Sequence, residues 1–399
     1  MADDLGYEGI GANGGTSYQT PHLDALARAG MRFTQAYSTP LCTPSRVQLM
    51  TGKYNFRNYI GFGLLDPAER TFAHLLQDAG YQTLVVGKWQ LFGTPEQRLA
   101  AGRTGAVPTE AGFDEYCVWQ IGETDSRFKN PRLHLNSLTS QVVTGAFGPD
   151  VFVDCIDEFV ERHQDQSFLV YYPMAFTHKP FHPLPGHPDY DALDPNLDPS
   201  DPAFFPDNVA YMDRMVGRIV HRLDSLGLRD NTLLLFTTDN GTNRGIFSQL
   251  GDRLVQGGKG LTTEAGTHAP LIANWPGTIP PGRVNDNLVD FTDFLPTLVD
   301  VAGIAPPGDF LMDGLSFYGQ LIEQADSVRS WIFLHYDARW NDHPFRRYVQ
   351  DQEWKLYEDG SFFHVSEDPD EAFPVADDAL TDEQRQRKQR FQEVLDQMQ

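Results

Sequence analysis

Helical segments alternate with short apolar runs along most of this 399-residue chain, and this alternation constrains the fold more than any other feature. Thr20–Ala29 and Thr71–Ala79 have helical patterns, and each is followed by a glycine. The apolar run Gln82–Val86 follows the second helix, and the long amphipathic segment Asn208–Leu226 leads into the run Thr232–Thr238. This order predicts an α/β fold with a large mixed, mostly parallel sheet sandwiched by helices.

From about Asp313 the pattern changes to short strand-like segments joined by polar turns. Trp354–Tyr357 is one such segment, and the Asp359-Gly360 pair after it is a strong β-hairpin signal. A charged helix is expected over Asp382–Met398. We therefore predict an α/β domain over residues 1–312 and a small C-terminal α+β subdomain with an antiparallel sheet over residues 313–399.

Composition excludes several classes of protein. The net charge is −24 and the isoelectric point is about 4.7, so no nucleic-acid partner is expected, because binding to phosphates needs clustered Lys and Arg. No apolar stretch approaches the roughly 18 residues of a membrane span. Cys42, Cys117 and Cys155 are too few and too scattered to predict a disulfide framework or a zinc site, and they leave the redox compartment open.

The pentapeptide Cys42-Thr43-Pro44-Ser45-Arg46 is the first candidate functional motif. Its Cys-x-Pro-x-Arg spacing resembles the signature that maturation enzymes oxidise to formylglycine in sulfatases of the alkaline-phosphatase superfamily. The structural alternative is a partly buried cysteine before a helix over Val47–Thr51. A helix N-terminus directly after the nucleophile would favour a bound sulfate.

Two acidic segments extend this resemblance. Asp3 and Asp4 resemble the N-terminal acidic pair of the family, and Asp239 and Asn240 resemble the turn that supplies two more metal ligands. Three carboxylates and an amide oxygen suit Ca²⁺ or Mg²⁺ better than zinc. Adjacent aspartates are also common in turns and helix caps. However, Asp239 follows the apolar run Leu233–Phe236, which places it at the carboxyl end of a strand, where ligands bind in such folds.

Basic residues resemble the remaining sulfatase motifs. Lys88, in Gly-Lys-Trp after a predicted strand, and Lys259, in a glycine-rich loop, match the two lysine segments of the family. His178 precedes Lys-Pro after the predicted strand Phe168–Tyr172 and matches the family's His-x-Pro. Each of these residues alone would more often be a solvated lysine or a structural histidine. Together with matching segments in the same order up to about Leu321, they identify the chain as a member of the sulfatase family.

One residue departs from the family pattern. The family usually has a histidine after Gly-Lys-Trp, where this chain has Gln90. Glutamine can form hydrogen bonds but cannot titrate, so His178, His182 or His268 is expected to take over the role of the base. We also predict that Gln90, His182 and His268 contact the substrate.

The resemblance implies a sulfuric ester hydrolase in which hydrated formylglycine, made from Cys42, attacks the sulfur of a sulfated small molecule or glycan. The implied metal, Ca²⁺ or Mg²⁺, would be held by a set of five residues: Asp3, Asp4, Cys42, Asp239 and Asn240. Lys88, Lys259 and Arg46 would offset negative charge, and His178 would protonate the leaving alcohol.

Two alternatives remain open at this point: a phosphonate or phosphate ester hydrolase of the same superfamily, and a catalytically impaired protein that binds sulfated glycans. The family implies a periplasmic or secreted protein and a formylglycine-generating maturation enzyme as partner. The chain opens with Met-Ala-Asp-Asp where an α/β enzyme normally carries a strand, so a shortened N-terminus is expected.

Overall fold

The computed structural model of the protein describes residues 1–195, 198–325 and 327–398, so Gln399, the last residue of the predicted subdomain, lies outside it. The α-helices are α1 (Pro21–Arg28), α2 (Cys42–Thr51), α3 (Asn55–Asn58), α4 (Phe72–Asp78), α5 (Pro95–Ala101), α6 (Gly148–Arg162), α7 (Phe205–Ser225), α8 (Glu264–Thr267), α9 (Phe294–Val301), α10 (Tyr318–Leu321) and α11 (Asp382–Gln397). The strands are β1 (Met31–Tyr37), β2 (Gln82–Lys88), β3 (Glu115–Trp119), β4 (Arg132–Leu135), β5 (Gln141–Val142), β6 (Phe168–Tyr171), β7 (Leu234–Thr237), β8 (Phe247–Leu250), β9 (Arg253–Gln256), β10 (His268–Asn274), β11 (Arg283–Asp290), β12 (Ile332–Tyr336), β13 (Arg346–Gln350), β14 (Trp354–Tyr357) and β15 (Phe362–His364). The predicted α/β class is confirmed.

Two mixed sheets form the centre of the larger part of the molecule. One has the order β11-β1-β10-β7, with β1 parallel to β11 and antiparallel to β10. The other has the order β5-β4-β3-β2-β6, with β2 parallel to both β3 and β6. The sheets are mixed, as predicted, but parallel pairs do not dominate, since β10–β7, β3–β4 and β4–β5 are antiparallel as well.

Alternate residues of the central strands face opposite helical layers. In β2, Leu84 and Val86 belong to the core that α1, α6 and α7 cover, whereas Val85 belongs to the core under α2, α4 and α9. In β10, Ile272 joins the first core and Leu271 the second. This two-residue alternation is what a sheet covered on both faces requires, so the predicted sandwich of helices around the sheet is confirmed.

The start of α2 is the local feature that most affects the site. The sequence predicts a helix over Val47–Thr51, but the helix begins at Cys42 itself, with Pro44 in its first turn. Proline is accepted there because the first N–H groups of a helix have no partner within it. The candidate nucleophile therefore sits at the N-terminus of a ten-residue helix.

The C-terminal sheet is antiparallel, in the order β12-β13-β14-β15, and Asp359-Gly360 forms the hairpin between its last two strands, as predicted. The charged helix α11 packs on β13 and β14 through Phe391 and Leu395. The predicted α+β subdomain is confirmed, while the exact division after residue 312 stays a prediction. At that point Asp313 binds Arg57 of the larger part through Oδ1 at 3.0 Å.

The structure corrects the reading of two cysteines. Cys117 on β3 and Cys155 on α6 are 38 residues apart in sequence, but their Cα atoms lie 6.5 Å apart and the two form a disulfide. Sequence spacing hid this pair because the strand and the helix meet only in the tertiary fold. Cys42 is the free cysteine.

The first residues of the chain run between the two sheets. The Met1 ammonium donates to Tyr172 O at 2.9 Å, and Ala2 N donates to Thr237 O at 2.9 Å. An apolar cavity of about 240 Å³, lined by β6, β7, α6 and α7, lies beside Met1. Within the described residues, no helix combines the length and the apolar character that a membrane span requires.

Candidate active site

Side chains at or just after the ends of three strands lie close to the N-terminal pair Asp3 and Asp4. Lys88 ends β2, Asp239 follows β7 by two residues, and His178 lies in the loop after β6. The chain at Asp3 is fixed between these elements, because its N–H donates to Phe176 O at 2.7 Å. Carboxyl ends of strands are where ligands bind in open α/β sheets, and the structure brings the predicted side chains together at such ends.

Two ion pairs organise the acidic residues. Lys88 Nζ lies 2.7 Å from Asp3 Oδ2, and Lys259 Nζ lies 2.6 Å from Asp4 Oδ2. Burial opposes ionisation of Asp3, but the charges of Lys88 and Lys259 outweigh it and hold the pKa of Asp3 well below its usual range. The carboxylate is therefore ionised although it is buried.

The oxygen donors at this point fit a hard divalent cation. Asn240 Nδ2 donates to Asp4 Oδ1 at 2.8 Å, and Asp4 N donates to Asp239 Oδ1 at 3.1 Å. Among the described residues, Asp3 Oδ1 and Asn240 Oδ1 are buried and have no hydrogen-bond partner. Burial, followed by the charge of Asp3, raises the pKa of Asp239 well above its usual value. A bound cation would satisfy these oxygens and offset the repulsion between the carboxylates.

Ligand atoms of Asp3, Asp4 and His178 lie within 4.8 Å of one another. Asp3 and Asp4 of the predicted metal set thus lie together with His178, which was not predicted as a ligand, and Asp239 and Asn240 are joined to them through hydrogen bonds with Asp4.

Two glycines allow the loops of the site to approach closely. A Cβ at Gly87 would lie 2.2 Å from Pro173 O, the carbonyl that accepts from Lys88 N at 2.7 Å. A Cβ at Gly241, directly after Asn240, would lie 1.8 Å from Ala265 O. Any side chain at these two positions would displace the loops that carry Lys88 and Asn240.

Cys42 faces this charged group from the start of α2. Its Sγ lies 3.7 Å from Gln90 Oε1, so the glutamine that replaces the family's usual histidine lies beside the candidate nucleophile. Burial raises the pKa of the Cys42 thiol, and the nearby Lys88 and Lys259 charges only partly oppose this. A buried neutral thiol is a poor nucleophile, so the unmodified cysteine does not account for hydrolysis.

Arg46 contacts the backbone at the end of β2. Its Nη2 donates to Lys88 O at 2.9 Å and to Trp89 O at 2.7 Å, and the side chain is fully buried. These contacts fix the turn that carries Lys88 and Gln90. Arg46 therefore supports the site through the backbone. Among the described residues its Nε and Nη1 are buried without hydrogen-bond partners, and its role in offsetting negative charge stays a prediction.

His178 has a partner that the sequence analysis missed. Arg127 Nη2 lies 3.1 Å from His178 Nδ1 and donates to His178 O at 3.1 Å. His178 Nε2 lies 3.8 Å from Asp4 Oδ2. Burial, followed by the Lys259 charge, lowers the pKa of His178 to about 3, so its imidazole is neutral. Arg127 lies in a loop that has no recognisable motif, so only the tertiary structure shows its contact with His178.

The other two predicted substrate contacts, His182 and His268, contact groups of the protein. His268 Nε2 lies 2.8 Å from Thr34 O, and its ring stacks between Tyr7 and Tyr37 at centroid distances of 4.1 and 5.1 Å. His182 is buried, and its Nε2 lies 3.1 Å from Asp198 O. These contacts hold both rings within the protein, so they give no support to a role in substrate binding or as the base.

Comparison with known proteins agrees with this geometry. The sulfatase family model matches residues 1–304, and the model described as N-sulphoglucosamine sulphohydrolase, C-terminal, matches residues 258–398. The chain is 29% identical to canine N-acetylgalactosamine-6-sulfatase over 448 residues, covering 94% of this chain and 80% of that one. It is 32% identical to human arylsulfatase A over 369 residues, covering 84% and 69%.

A solved structure of a protein in complex with its substrate D-glucosamine-2-N,6-O-disulfate has the same fold, with a TM-score of 0.79 at 21% identity, covering 100% of this chain and 96% of that one. The chain belongs to the sulfatase family of the alkaline-phosphatase superfamily, and it is a sulfuric ester hydrolase.

Proposed function

We propose that the protein removes sulfate from a sulfated carbohydrate, with a formylglycine made from Cys42 as nucleophile and a divalent cation as cofactor. The observation that carries the proposal is the position of Cys42, at the N-terminus of α2 and facing two buried carboxylate–lysine pairs. The carbohydrate class is supported by similarity to an N-acetylgalactosamine-6-sulfatase and by the N-sulphoglucosamine sulphohydrolase match at the C-terminus.

Ca²⁺, with Mg²⁺ as the alternative, fits the donor set better than zinc, because the unpartnered atoms are oxygens. The residues that would hold the ion are Asp3, Asp4, Asp239, Asn240 and residue 42. When bound, such an ion stabilises negative charge on the sulfate and lowers the pKa of a hydroxyl group.

The first chemical step transfers the sulfuryl group to residue 42. One hydroxyl group of hydrated formylglycine loses its proton to water or to a basic group of the site, and its oxygen attacks sulfur. The bond between sulfur and the ester oxygen breaks, and that oxygen takes up a proton and leaves as the alcohol. Lys88 and Lys259 are placed to offset the negative charge of the sulfate oxygens. The ammonium group of Lys259 supplies the proton for the leaving oxygen, and the neutral His178 can only donate a hydrogen bond to it.

The second step releases inorganic sulfate. The remaining hydroxyl of residue 42 loses its proton, its oxygen forms a carbonyl with the same carbon, and the bond from that carbon to the sulfate oxygen breaks. Water then adds to the aldehyde and restores the hydrate. Gln90 Oε1 is positioned to accept a hydrogen bond from this hydroxyl, but an amide cannot take its proton, so the proton must pass to water or to a charged group of the site.

We further propose that the protein works in the periplasm or outside the cell. The Cys117–Cys155 disulfide supports this location, because such bonds persist in oxidising compartments. A formylglycine-generating enzyme is the partner that maturation of Cys42 requires.

The experiment that tests the proposal starts with the nucleophile. The protein is co-expressed with a formylglycine-generating enzyme, and the tryptic peptide Phe33–Arg46 is analysed by mass spectrometry. The aldehyde or its hydrate at position 42 is the expected product. The Cys42→Ala variant is the control, and it should release no sulfate from any ester.

Matched aryl sulfate, phosphate and phosphonate esters then define the reaction, followed by sulfated monosaccharides. Release of sulfate at the highest kcat/KM supports the proposal. Preference for the phosphonate or phosphate ester would make the chain a hydrolase of the related class. A fully matured protein that binds sulfated sugars without turnover would be a glycan-binding protein, with Gln90 as the first residue to examine.

A further inference from the structure

The C-terminal antiparallel sheet turns one face towards the nucleophile. Tyr336 ends β12, is 1% exposed, and belongs to the same apolar cluster as Leu41, the residue before Cys42. Ile332 and Leu334 of the same strand also belong to this cluster, so β12 is packed against the part of the catalytic domain where α2 begins. The subdomain therefore brings an aromatic side chain to the active site.

The segment after β12 is attached to the loops of the site. The ring of His343 packs so closely on Gly260 that a Cβ there would lie 2.8 Å from it. His343 also contacts Tyr336, with ring centroids 6.2 Å apart. Gly260 follows Lys259 in the chain, and its N–H donates to Pro40 O at 2.9 Å. Tyr336 is thus held between the lysine loop and the start of α2.

The hydroxyl group of Tyr336 is buried and, in the part of the chain that the structure describes, has no hydrogen-bond partner. Tyr59 offers a contrast. Both phenols lie near Cys42, yet Tyr59 OH donates to Ala338 O at 2.8 Å. A buried unpaired hydroxyl is costly, so it calls for an explanation in terms of a ligand or a strain. Burial raises the pKa of Tyr336, which leaves a donor that keeps its proton.

The chemistry of residue 42 supplies the missing acceptor. A thiol sulfur is a weak acceptor, whereas hydrated formylglycine carries two hydroxyl oxygens on the same carbon. We propose that the Tyr336 hydroxyl donates a hydrogen bond to an oxygen of hydrated formylglycine at position 42 and thereby holds the nucleophile in its reactive orientation. This inference rests on the proposed function, since it requires maturation of Cys42.

Gln90 and Tyr336 then act on the same carbon from two parts of the molecule. Gln90 Oε1, 3.7 Å from Sγ, accepts from one hydroxyl, and Tyr336 donates to an oxygen. Two neutral groups with opposite hydrogen-bonding roles fix the rotation of the hydrate without adding charge. This arrangement gives the C-terminal subdomain a direct contact with the nucleophile.

The test is the Tyr336→Phe variant, which removes one oxygen and keeps the ring. Tyr348→Phe is the matched control, because Tyr348 is equally buried on the neighbouring strand β13 and its ring lies over Lys355, at 4.4 Å. All proteins are matured to the same measured formylglycine content. We expect kcat of Tyr336→Phe towards an aryl sulfate to fall about 10- to 100-fold, with KM changed less than about twofold. Tyr348→Phe should retain wild-type kcat.

A second readout does not depend on activity. Because the hydroxyl gains its partner on maturation, conversion of Cys42 to formylglycine should raise Tm more in the wild type than in Tyr336→Phe. The unmatured variant should be at least as stable as the unmatured wild type. An unchanged kcat, an equal loss in both variants, or an equal rise in Tm would overturn the inference. A matured wild type that hydrolyses no sulfate ester would instead refute the proposed function, and the Tm comparison would still decide the role of Tyr336.

Discussion

Two buried clusters in this protein are built from the same ingredients, aspartates and basic side chains, yet they have opposite properties. In the active site, Asp3 and Asp4 are paired with Lys88 and Lys259. The second cluster lies at the turn between β11 and α9, where Asp290 and Asp293 meet a single arginine from the segment before β12. The aspartates of both clusters are buried, so burial alone does not distinguish a binding site from a structural element.

The structural cluster is saturated with hydrogen bonds. Asp293 accepts from Arg329 through both oxygens, and Leu315 N adds a further bond at 2.7 Å. Asp290 Oδ1 accepts from Gln48 Nε2 at 2.7 Å and from Thr292 N at 2.9 Å. The planar guanidinium binds a carboxylate with two parallel bonds, which fixes the segment before β12 against the larger part of the molecule.

The active-site cluster is incomplete by comparison. Asp3 Oδ1 and Asn240 Oδ1 are buried without partners among the described residues, and the cations are lysines, which act as point charges. The comparison indicates that buried oxygens without hydrogen-bond partners, rather than the charges themselves, identify a ligand-binding site. A bound cation would pair with these oxygens and reduce the repulsion between the carboxylates.

The largest expected effect comes from Asp239→Asn. The amide keeps an oxygen for the bond from Asp4 N but removes a charge that a divalent cation would use, so kcat/KM should fall by about 1,000-fold or more. Burial and the charge of Asp3 already disfavour the Asp239 carboxylate. Tm measured in EDTA should therefore stay the same or rise, while the rise in Tm on adding Ca²⁺ should be lost.

Asp213→Asn is the matched control, because Asp213 is also buried but its two oxygens accept from His22 N and Leu23 N. This variant should lower Tm and keep the Ca²⁺-induced rise. If Asp239→Asn retained that rise, Asp239 would not be a ligand, and the contrast between the two clusters would lose its main support.

The second largest effect is expected at the structural cluster. Arg329→Met keeps much of the side-chain volume but leaves the Asp293 carboxylate buried without its cation, which should lower the free energy of unfolding by about 3 kcal/mol or more. Chemical denaturation measures this loss. The fraction that remains folded should keep the Ca²⁺-induced rise in Tm, because Arg329 does not contact the active-site carboxylates.

Arg385→Met provides the comparison at the surface. Arg385 pairs with Asp382 on α11, and both side chains are exposed, at 52% and 94%. Exposed pairs contribute little, so its loss should change the free energy of unfolding by less than about 1 kcal/mol. If the two arginine variants lowered the free energy of unfolding equally, the large contribution that we assign to the buried Arg329–Asp293 pair would be wrong.

The sequence predicts those parts of the fold where periodicity is strong. Helix α7 was expected from its amphipathic pattern, and the Asp359-Gly360 hairpin from its turn residues. Strand β1, Met31–Tyr37, escaped prediction because polar residues interrupt its apolar positions. The proportion of parallel pairs was overestimated, because the order of strands in a sheet depends on long-range contacts that local pattern does not encode.

In the candidate site, too, the sequence predicts only the residues that belong to motifs. Cys42, Lys88 and the aspartates carry recognisable motifs, and the structure brings them together. Arg127 and Tyr336 lie in segments without motifs, and they reach the site only through the packing of a loop and of the C-terminal sheet. His268 was predicted from its residue type and its position after the lysine loop, but the sequence did not show that its ring stacks on Tyr7 and Tyr37.

The smallest effect is a pH dependence of stability that belongs to the structural cluster. Burial raises the pKa of Asp290 to about 6, although the Arg329 charge opposes the shift. Folding then favours the protonated acid, whose ordinary pKa is about 4. As pH rises from about 4 to about 6, the folded protein must ionise a group that the unfolded chain has already ionised, so stability falls over this window, by at most about 3 kcal/mol.

Asp290→Asn should remove this fall, because the amide keeps an acceptor for Gln48 and Thr292 and does not titrate. The measurement is the free energy of unfolding from urea titrations between pH 4 and pH 7, taken as the difference between wild type and variant at each pH. Asp300→Asn removes the same charge from an exposed position on α9 and should leave the profile parallel to that of the wild type. If the difference in the free energy of unfolding between wild type and Asp290→Asn did not change with pH, Arg329 would keep both aspartates ionised. The two clusters would then differ only in their unpartnered oxygens.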